Sequence, residues 1–292
     1  MKQTKIFALG FFDGVHLGHQ ALLRACAAMA KEMGAETAAI TFEKHPQSLF
    51  AANTPALVNA IEDREKLLRA FGIGHIRVLP VTQTTMGQNW QDFLEDLLAD
   101  GTQGFVCGDD FRFGHKGEGN AQLLQQFCRD HDLHCVIVPQ QMLDRVRISS
   151  THIRGLIEAG DMENAARFLG HPHILSGEVI PGRRIGRTIG VPTANIALPE
   201  GVVVPKLGVY ACLCHVGNRK YPAVTNIGSR PTVGGHQVRA ESWVLDFDGD
   251  LYGQEITLEF HRFLRPEQKF VSLDALKAQI QLDAAEVLQL LG

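Results

Sequence analysis

Two patterns of hydrophobic and polar residues divide the chain. Up to about residue 170, short apolar runs such as Ile6–Leu9 alternate with longer segments such as Gln20–Met33, whose apolar residues recur at helical spacing. Strands that alternate with helices of this length predict a parallel sheet with crossover helices. The predicted strands are Ile6–Leu9, Thr37–Phe42, His75–Leu79, Phe105–Cys107 and His134–Val138, and the predicted helices are Gln20–Met33, Glu62–Phe71, Asn89–Ala99 and Ala121–Arg129.

From about His171 the pattern changes to short β-rich runs separated by Gly and Pro, which predicts a small antiparallel β-barrel or sandwich. A final amphipathic helix over Asp274–Leu291 is expected to pack on it. We therefore expect an α/β parallel-sheet domain over residues 1–170 and an antiparallel β-barrel domain with a terminal helix over 171–292. The predicted strands of the second half are Leu175–Ile180, Val209–Val216, Tyr221–Thr225, Ser242–Phe247 and Glu255–Phe263.

Composition limits the class of protein. The 292 residues are 45% hydrophobic and 21% charged, which is typical of a globular chain with room for two cores. A net charge of −4 without a basic stripe argues against a nucleic-acid partner, and the apolar runs are too short to span a membrane. The six scattered cysteines lack a Cys-x-x-Cys motif, and the first residues lack a signal-peptide cleavage site, so we expect reduced thiols and a cytoplasmic location.

The segment Gly10–His19 joins the first predicted strand to the first predicted helix. Its glycines let the backbone approach a ligand, a helix N-terminus attracts anions, and His16 and His19 can share one helical face. The segment lacks the Lys-Ser/Thr pair of a Walker A loop and the glycine spacing of a dinucleotide fingerprint. It favours a nucleotidyltransferase-type phosphate site, with a tight turn bearing surface histidines or a zinc half-site as alternatives. The candidate nucleotide-binding residues are Gly10, Phe11, Asp13, Gly14 and Gly18.

Further polar loops follow other predicted strands, at the edge where parallel sheets bind ligands. They are Thr41–Pro46, Gly108–Gly114 and Ile148–Arg154. Ser150 is the predicted N-cap of a helix that runs to about Ala159. Arg154 then lies in the first turn, where the helix dipole disfavours a cation by about 0.3–1 kcal/mol, unless an anion binds there. The alternative is an arginine whose stem covers apolar surface. The candidates from these loops are Asp110, Arg112, Ser149, Ser150, Thr151 and Arg154.

The second half contains one conspicuous motif, Gly182–Asn195, with glycines four apart, three arginines and a terminal Pro-Thr-Ala-Asn. Cationic, glycine-rich loops suit the phosphates of ATP, and the neutral oxygens of Thr193 and Asn195 suit Mg²⁺. Glu241 is a candidate acceptor of a hydroxyl proton. The alternatives are an arginine-rich hairpin and an ordinary surface acid. The candidate phosphate-binding residues here are Gly182, Gly186, Arg187, Thr188, Gly190 and Pro192.

Together these motifs resemble the bifunctional riboflavin kinase/FAD synthetase family of bacteria, in the family's order from Gly10 to about Asp283. Two departures lie in the first half: Lys44 replaces the proline that usually precedes His-Pro, and Gly117 replaces a common arginine. The resemblance implies a nucleotidyltransferase-like first domain and a kinase second domain. It rests on Gly10–Gln20, Thr41–Pro46, Gly108–Gly114, Ser149–Arg154, Gly182–Asn195, Tyr210, Asn226–Thr232, Glu241 and Arg265–Phe270.

The resemblance implies two reactions. In the kinase domain the ribityl 5′-hydroxyl of riboflavin attacks the γ-phosphorus of MgATP; Glu241 orients or deprotonates this hydroxyl, Thr193 and Asn195 bind Mg²⁺, and Asn226 contributes to binding. In the other domain the phosphate of FMN attacks the α-phosphorus of a second ATP, which forms FAD and releases pyrophosphate. The donors implied for that second site are His16, His19, Ser150, Thr151 and Arg154.

Two alternatives remain open at this stage: a riboflavin kinase with weak or lost adenylyltransferase activity, and a flavin- or nucleotide-binding regulator without turnover. We expect small-molecule substrates, no membrane or nucleic-acid partner, and a monomer or weak homo-oligomer.

Overall fold

The computed structural model describes residues 4–50, 54–181, 190–232 and 235–292. The chain forms two compact units, one of residues 1–57 and 61–150, and the other of residues 58–60 and 151–292. The assignment of residues 1–170 to one domain and 171–292 to the next stays a prediction.

The first unit is built on a parallel five-stranded sheet with the strand order β3-β2-β1-β4-β7. Its strands are β1 (Lys5–Leu9), β2 (Glu36–Phe42), β3 (His75–Leu79), β4 (Thr102–Gly108), β5 (Arg112–Phe113), β6 (Gly119–Asn120), β7 (His134–Val138), β8 (Met142–Leu143) and β9 (Val146–Arg147), where β5–β6 and β8–β9 are separate short hairpins. The helices up to residue 169 are α1 (Leu17–Met33), α2 (Ile61–Ala70), α3 (Gln83–Gly87), α4 (Trp90–Ala99), α5 (Ala121–Asp130), α6 (Ser150–Ala159) and α7 (Met162–Leu169).

The predicted parallel sheet is confirmed. Its central strands are continuous apolar runs because both faces are covered: Ile6, Phe7 and Ala8 of β1 are all fully buried. Two helices were missed. α3 is a single short turn, whereas α7 carried a readable signal, since Asp161 caps its N-terminus by accepting from the Asn164 N–H and a glycine follows its end.

The second unit contains an antiparallel six-stranded sheet in the order β10-β15-β12-β13-β14-β11, and a bridge between Ile180 and Asn195 brings its two ends together as a nearly closed barrel. The strands are β10 (His173–Glu178), β11 (Ala194–Ala197), β12 (Gly208–Val216), β13 (Arg219–Thr232), β14 (Gly235–Val244) and β15 (Glu255–Arg265). The terminal helix α8 (Leu273–Leu291) packs Ala284 and Val287 on the outer face of the sheet, against Val209 and Val224. The predicted barrel and terminal helix are therefore confirmed.

The closure of the barrel gives a stability prediction. A Cβ on Gly177 of β10 would lie 2.1 Å from Cγ2 of Ile196 on β11, so Gly177→Ala should lower the free energy of unfolding of this unit by about 1–3 kcal/mol. Urea unfolding followed by Trp243 fluorescence in a Trp90→Phe background isolates the second unit. Gly155→Ala is the matched control, because nothing lies within 4 Å of its added Cβ and alanine favours the helix. Equal stability of the two variants would contradict this account of the closure.

Candidate active sites

The loop after β1 holds a sharply bent backbone. Phe12 and Val15 have φ values of 57° and 40°, and Gly14 has 83°. A positive φ is costly for a bulky or β-branched residue, and it persists only where the surroundings enforce it. Phe12 and Val15 are fully buried, so packing fixes this loop before any ligand binds.

His16 and His19 lie side by side where α1 begins. His16 is the N-cap, and its Nδ1 accepts a hydrogen bond of 3.2 Å from the His19 backbone N–H. Because Nδ1 accepts, the proton of a neutral His16 ring lies on Nε2, which becomes a donor. The two rings stack with centroids 3.6 Å apart, and a Cβ on Gly18 would lie 3.2 Å from the His16 ring. The two histidines therefore lie on one face, as predicted. The helix α1 begins at Leu17, three residues before the predicted start at Gln20, because His16 caps its N-terminus.

The surroundings of His19 disfavour its charged form. Burial, followed by the charges of His16 and Arg64, lowers the pKa of His19 well below its usual value. Its Nδ1 is buried without a hydrogen-bond partner in the part of the chain that the structure describes. In that same part no three His, Cys, Asp or Glu side chains are grouped to hold a metal, so the zinc alternative finds no support there.

Ser150 of the 148–154 loop contacts the loop that follows β1. Its hydroxyl donates to the Asp13 carbonyl at 2.9 Å. The helix α6 begins at Ser150 itself, so this serine is the first helical residue, although the sequence predicted it as the N-cap. Thr151 and Arg154 belong to the second compact unit, where Arg154 Nη2 donates to Thr151 Oγ1 at 3.0 Å. Their role on phosphate, like that of Ser149, stays a prediction.

A mainly apolar cavity of about 240 Å³, with five phenylalanines in its lining, opens beside the loop after β1, past the carboxyl ends of β1, β2 and β3. Phe111 and Phe113 stack in its wall with centroids 5.5 Å apart. The exposed Arg112 lies at its lining, and Asp110 is paired outside it with Arg147. Further lining residues are Gly10, Phe42, Phe50, Phe93 and Gly117, and Gly117 has a φ of 69°.

Sequence reasoning missed Arg64, a fully buried cation in α2. Its Nη1 donates to Thr41 Oγ1 at 3.0 Å and to the Phe42 carbonyl at 2.7 Å, and its guanidinium lies 4.6 Å from the centroid of the Phe11 ring. Burial lowers the pKa of Arg64, while the carboxylates of Asp13 and Glu62 act in the opposite direction.

A sequence signal for Arg64 did exist. Leu67 and Leu68 follow it by three and four positions and are both buried, so Arg64 occupies the apolar stripe of α2. A charged residue in that stripe is expected to be buried together with groups that bind its charge, because charged side chains are rarely buried unpaired.

The second site is a row of polar side chains on three neighbouring strands. The register pairs Asn195 of β11 with Glu241 of β14, and Glu241 with Asn226 of β13. Directly opposed residues of antiparallel strands share one face, so these three side chains are neighbours. Asn195 is buried, and its Oδ1 has no hydrogen-bond partner within the described ranges, while its Nδ2 donates to the Thr193 carbonyl at 3.3 Å. A buried, unsatisfied neutral oxygen of this kind fits a magnesium ligand.

A cavity of about 400 Å³ is lined by two members of this row, Asn226 and Glu241, and by Thr193. Its other polar lining residues are Arg265, Glu267, Gln268 and Asp283. Asn226 Nδ2 also donates to Glu267 Oε1 at 3.1 Å. The ion pair Arg265–Asp283, at 2.7 Å, ties α8 to β15 at the cavity wall. The apolar side is formed by Val209, Val224, Trp243, Phe270, Leu276 and Ile280.

The structure describes only some of the other candidate residues of this half. Gly190 has a φ of 77°, as a glycine turn requires, and Pro192 lines a second small cavity together with Thr193 and Asn195. Tyr210 is fully buried within the barrel. The predicted phosphate-binding residues Gly182, Gly186, Arg187 and Thr188 lie outside the described residues.

A bent, histidine-bearing loop after the first strand of a parallel sheet, and a carboxylate–amide row beside a largely apolar cavity, are the arrangements expected of a nucleotide-dependent transferase. The family model described as FAD synthetase matches residues 1–152, and the model described as riboflavin kinase matches residues 169–291. The chain belongs to the bifunctional riboflavin kinase/FMN adenylyltransferase family, which confirms the resemblance seen in the sequence.

Relatives match over nearly the full chain. The Listeria monocytogenes bifunctional riboflavin kinase/FMN adenylyltransferase is 37% identical over 96% of this chain and 90% of its own length. The protein of that name from Escherichia coli K12 is 35% identical over 98% and 93%. A crystal structure described as that of a macrolide-efflux protein from Streptococcus pneumoniae is 29% identical, with a TM-score of 0.86 over 98% of this chain and 94% of that one. Among the helices described here, none has the length and apolar character needed to cross a membrane.

Proposed function

We propose that the second unit phosphorylates riboflavin to FMN and that the first unit adenylylates FMN to FAD. Residues 171–292 are then the riboflavin kinase domain, and residues 1–170 are the FMN adenylyltransferase domain. The observation that carries the proposal is the Asn195–Glu241–Asn226 row, because a carboxylate between two amides beside an apolar cavity suits a flavin with a polar tail.

In the kinase reaction the isoalloxazine ring occupies the apolar side of the larger cavity, and the ribityl chain reaches Glu241. The oxygen of the 5′-hydroxyl bonds to the γ-phosphorus, and Glu241 accepts the proton of this hydroxyl. ADP leaves when the bond from the γ-phosphorus to the bridging oxygen breaks. Asn226 binds the substrate next to Glu241. We assign the contacts with the phosphates of ATP to Gly182, Gly186, Arg187, Thr188, Gly190 and Pro192.

Thr193 and Asn195 are the residues that would hold Mg²⁺. The ion would neutralise charge on the phosphates of ATP. The support from the structure is the buried, unsatisfied Oδ1 of Asn195.

Asn195→Ala should therefore raise the Mg²⁺ concentration needed for half-maximal FMN formation about 10-fold or more, because one ligand oxygen is lost. The conversion of FMN to FAD should keep its magnesium dependence. Asn218→Ala, which changes an exposed asparagine of the same unit, serves as the control. An unchanged magnesium titration for Asn195→Ala would remove this residue from the metal site.

In the adenylyl transfer, the phosphate of FMN attacks the α-phosphorus of ATP and pyrophosphate leaves. The nucleophile is already an anion, so the site needs donors rather than a general base, and we assign this role to the ring N–H groups of His16 and His19. We also assign Ser149, Ser150, Thr151 and Arg154 to this reaction; the support from the structure is limited to Ser150, whose hydroxyl donates to the Asp13 carbonyl. Gly10, Phe11, Asp13, Gly14 and Gly18 form the loop around the nucleotide.

The cavity of about 240 Å³ beside the loop after β1 is the proposed place for the isoalloxazine ring of FMN. Its stacked Phe111 and Phe113 favour a flat aromatic ligand, and Arg112 at the lining suits the phosphate of FMN. Asp110, which forms an ion pair with Arg147 outside the cavity lining, is also assigned to this site.

One assay separates the candidate functions. The protein is incubated with riboflavin, ATP and Mg²⁺, and riboflavin, FMN and FAD are resolved over time. Accumulating FAD supports both activities, FMN alone supports a kinase with a weak adenylyltransferase, and the absence of both products supports a flavin- or nucleotide-binding regulator.

A cytoplasmic location is part of the proposal. All six cysteines are free, as expected for a protein of a reducing compartment. The monomeric or weakly oligomeric state stays a prediction.

A further inference from the structure

A buried chain of hydrogen bonds connects α2 to the loop that follows β1. Arg64 Nη1 donates to Thr41 Oγ1 at 3.0 Å, and Thr41 Oγ1 donates in turn to the Phe11 carbonyl at 2.7 Å. Arg64 and Thr41 are both fully buried. Hydrogen bonds removed from water act in a low dielectric and strengthen one another, so this relay holds the Phe11 carbonyl in one place.

The same cation also holds the side chain of Phe11. The guanidinium lies 4.6 Å from the centroid of the ring, and His45 meets the ring edge-on with centroids 5.3 Å apart. Phe11 is thus fixed at both its carbonyl and its ring. It immediately precedes the strained segment Phe12–Val15, which leads to the cap at His16.

The charge of Arg64 also links α2 electrostatically to the Gly10–His19 segment. The Arg64 charge is one of the causes that lower the pKa of His19, and the Asp13 carboxylate partly balances that charge. A buried cation of this kind is costly to place and gains little stability on its own. Its position behind the loop is therefore better explained by what it orients.

We infer that Arg64 is a positioning residue for adenylyl transfer: through Thr41 and the Phe11 ring it fixes the loop that presents His16 and His19 to ATP. This inference rests on the proposed phosphate site. The donors contact phosphate directly, whereas Arg64 acts through them.

The test measures FMN-to-FAD turnover for Arg64→Met, Arg64→Lys, Thr41→Val and the double variant Arg64→Met/Thr41→Val. A misplacement of the donors by about 1 Å should lower kcat on the order of 100-fold in Arg64→Met, with the KM for ATP changed less than about 3-fold, because transition-state contacts suffer most. Lysine keeps the charge without the planar fork, so Arg64→Lys should recover about 10-fold of the loss. The double variant should lose no more than the worse single variant.

Folding is followed in parallel by near-ultraviolet circular dichroism and thermal unfolding. The inference is overturned if folded Arg64→Met keeps kcat within about 3-fold of the wild type, if the loss of kcat equals the unfolded fraction, or if the two single losses add. If Arg64→Met does not fold, Arg64→Lys and Thr41→Val decide by the same criteria.

His19→Ala, assayed beside these variants, separates this inference from the proposed site. If His19→Ala loses turnover while the Arg64 and Thr41 variants keep it, only the role of Arg64 fails. If His19→Ala keeps wild-type turnover, the phosphate site fails, and the role of Arg64 fails with it.

Discussion

Replacing Glu241 with Gln should lower the rate of FMN formation from riboflavin by about 10²–10⁴-fold, which is the usual contribution of a positioned general base. Glutamine keeps the size of the side chain and its place between Asn195 and Asn226, so the row should remain intact. What it loses is the ability to accept the proton of the 5′-hydroxyl. The measurement is the rate of FMN formation under saturating ATP and Mg²⁺.

The same preparation provides an internal control, because FMN supplied directly should still be converted to FAD at nearly the wild-type rate. Glu178→Gln is the matched surface control, since Glu178 is exposed on β10 of the same barrel. If Glu241→Gln reduced both reactions equally, separate sites would be untenable. If it reduced neither, the carboxylate would have no part in proton transfer.

Much of the first unit could be read from the sequence because its determinants are local. The central strands of a parallel sheet are buried on both faces, so they appear as apolar runs, as in β1 and the Phe105–Cys107 part of β4. His16 and His19 were found for the same reason, since three positions on one helix fix their neighbourhood.

The barrel shows the opposite case. β11 has four residues, too few for a recognisable alternation, and it follows directly on the Pro-Thr pair that the sequence marked as loop. Its pairing places Asn195 opposite Glu241, although 46 positions separate them, and no local pattern specifies such a register. Asn195 and Glu241 could therefore be proposed as separate candidates, but their adjacency became visible only in the folded sheet.

Arg64 illustrates a third limit. Charged residues of helices are usually exposed, and the first turn of α2 carries Glu62 and Asp63, which hide the arginine in a charged run. Its spacing from Leu67 and Leu68 indicates burial, but its partners Thr41 and Phe42 are some twenty positions earlier in the chain, so helical spacing alone does not identify what the cation binds.

His19→Ala should produce the reverse pattern of Glu241→Gln. The loss of one donor toward the charge that develops on the α-phosphate should lower FMN-to-FAD turnover by about 10²–10³-fold. Riboflavin phosphorylation should be nearly unchanged, because the second unit carries its own carboxylate. Since α1 loses neither its His16 cap nor an interior apolar residue, the loss should appear in kcat rather than in the folded fraction.

His134→Ala is the matched control for this variant, because His134 is an exposed histidine on β7 of the same unit. It should retain both activities. A His19→Ala protein that forms FAD at the wild-type rate would show that the stacked pair is only a helix cap. The His16–His19 pair lies at the start of α1 in the first unit, and the Glu241 row lies on the barrel of the second, so the loss of both activities together would contradict two separate sites.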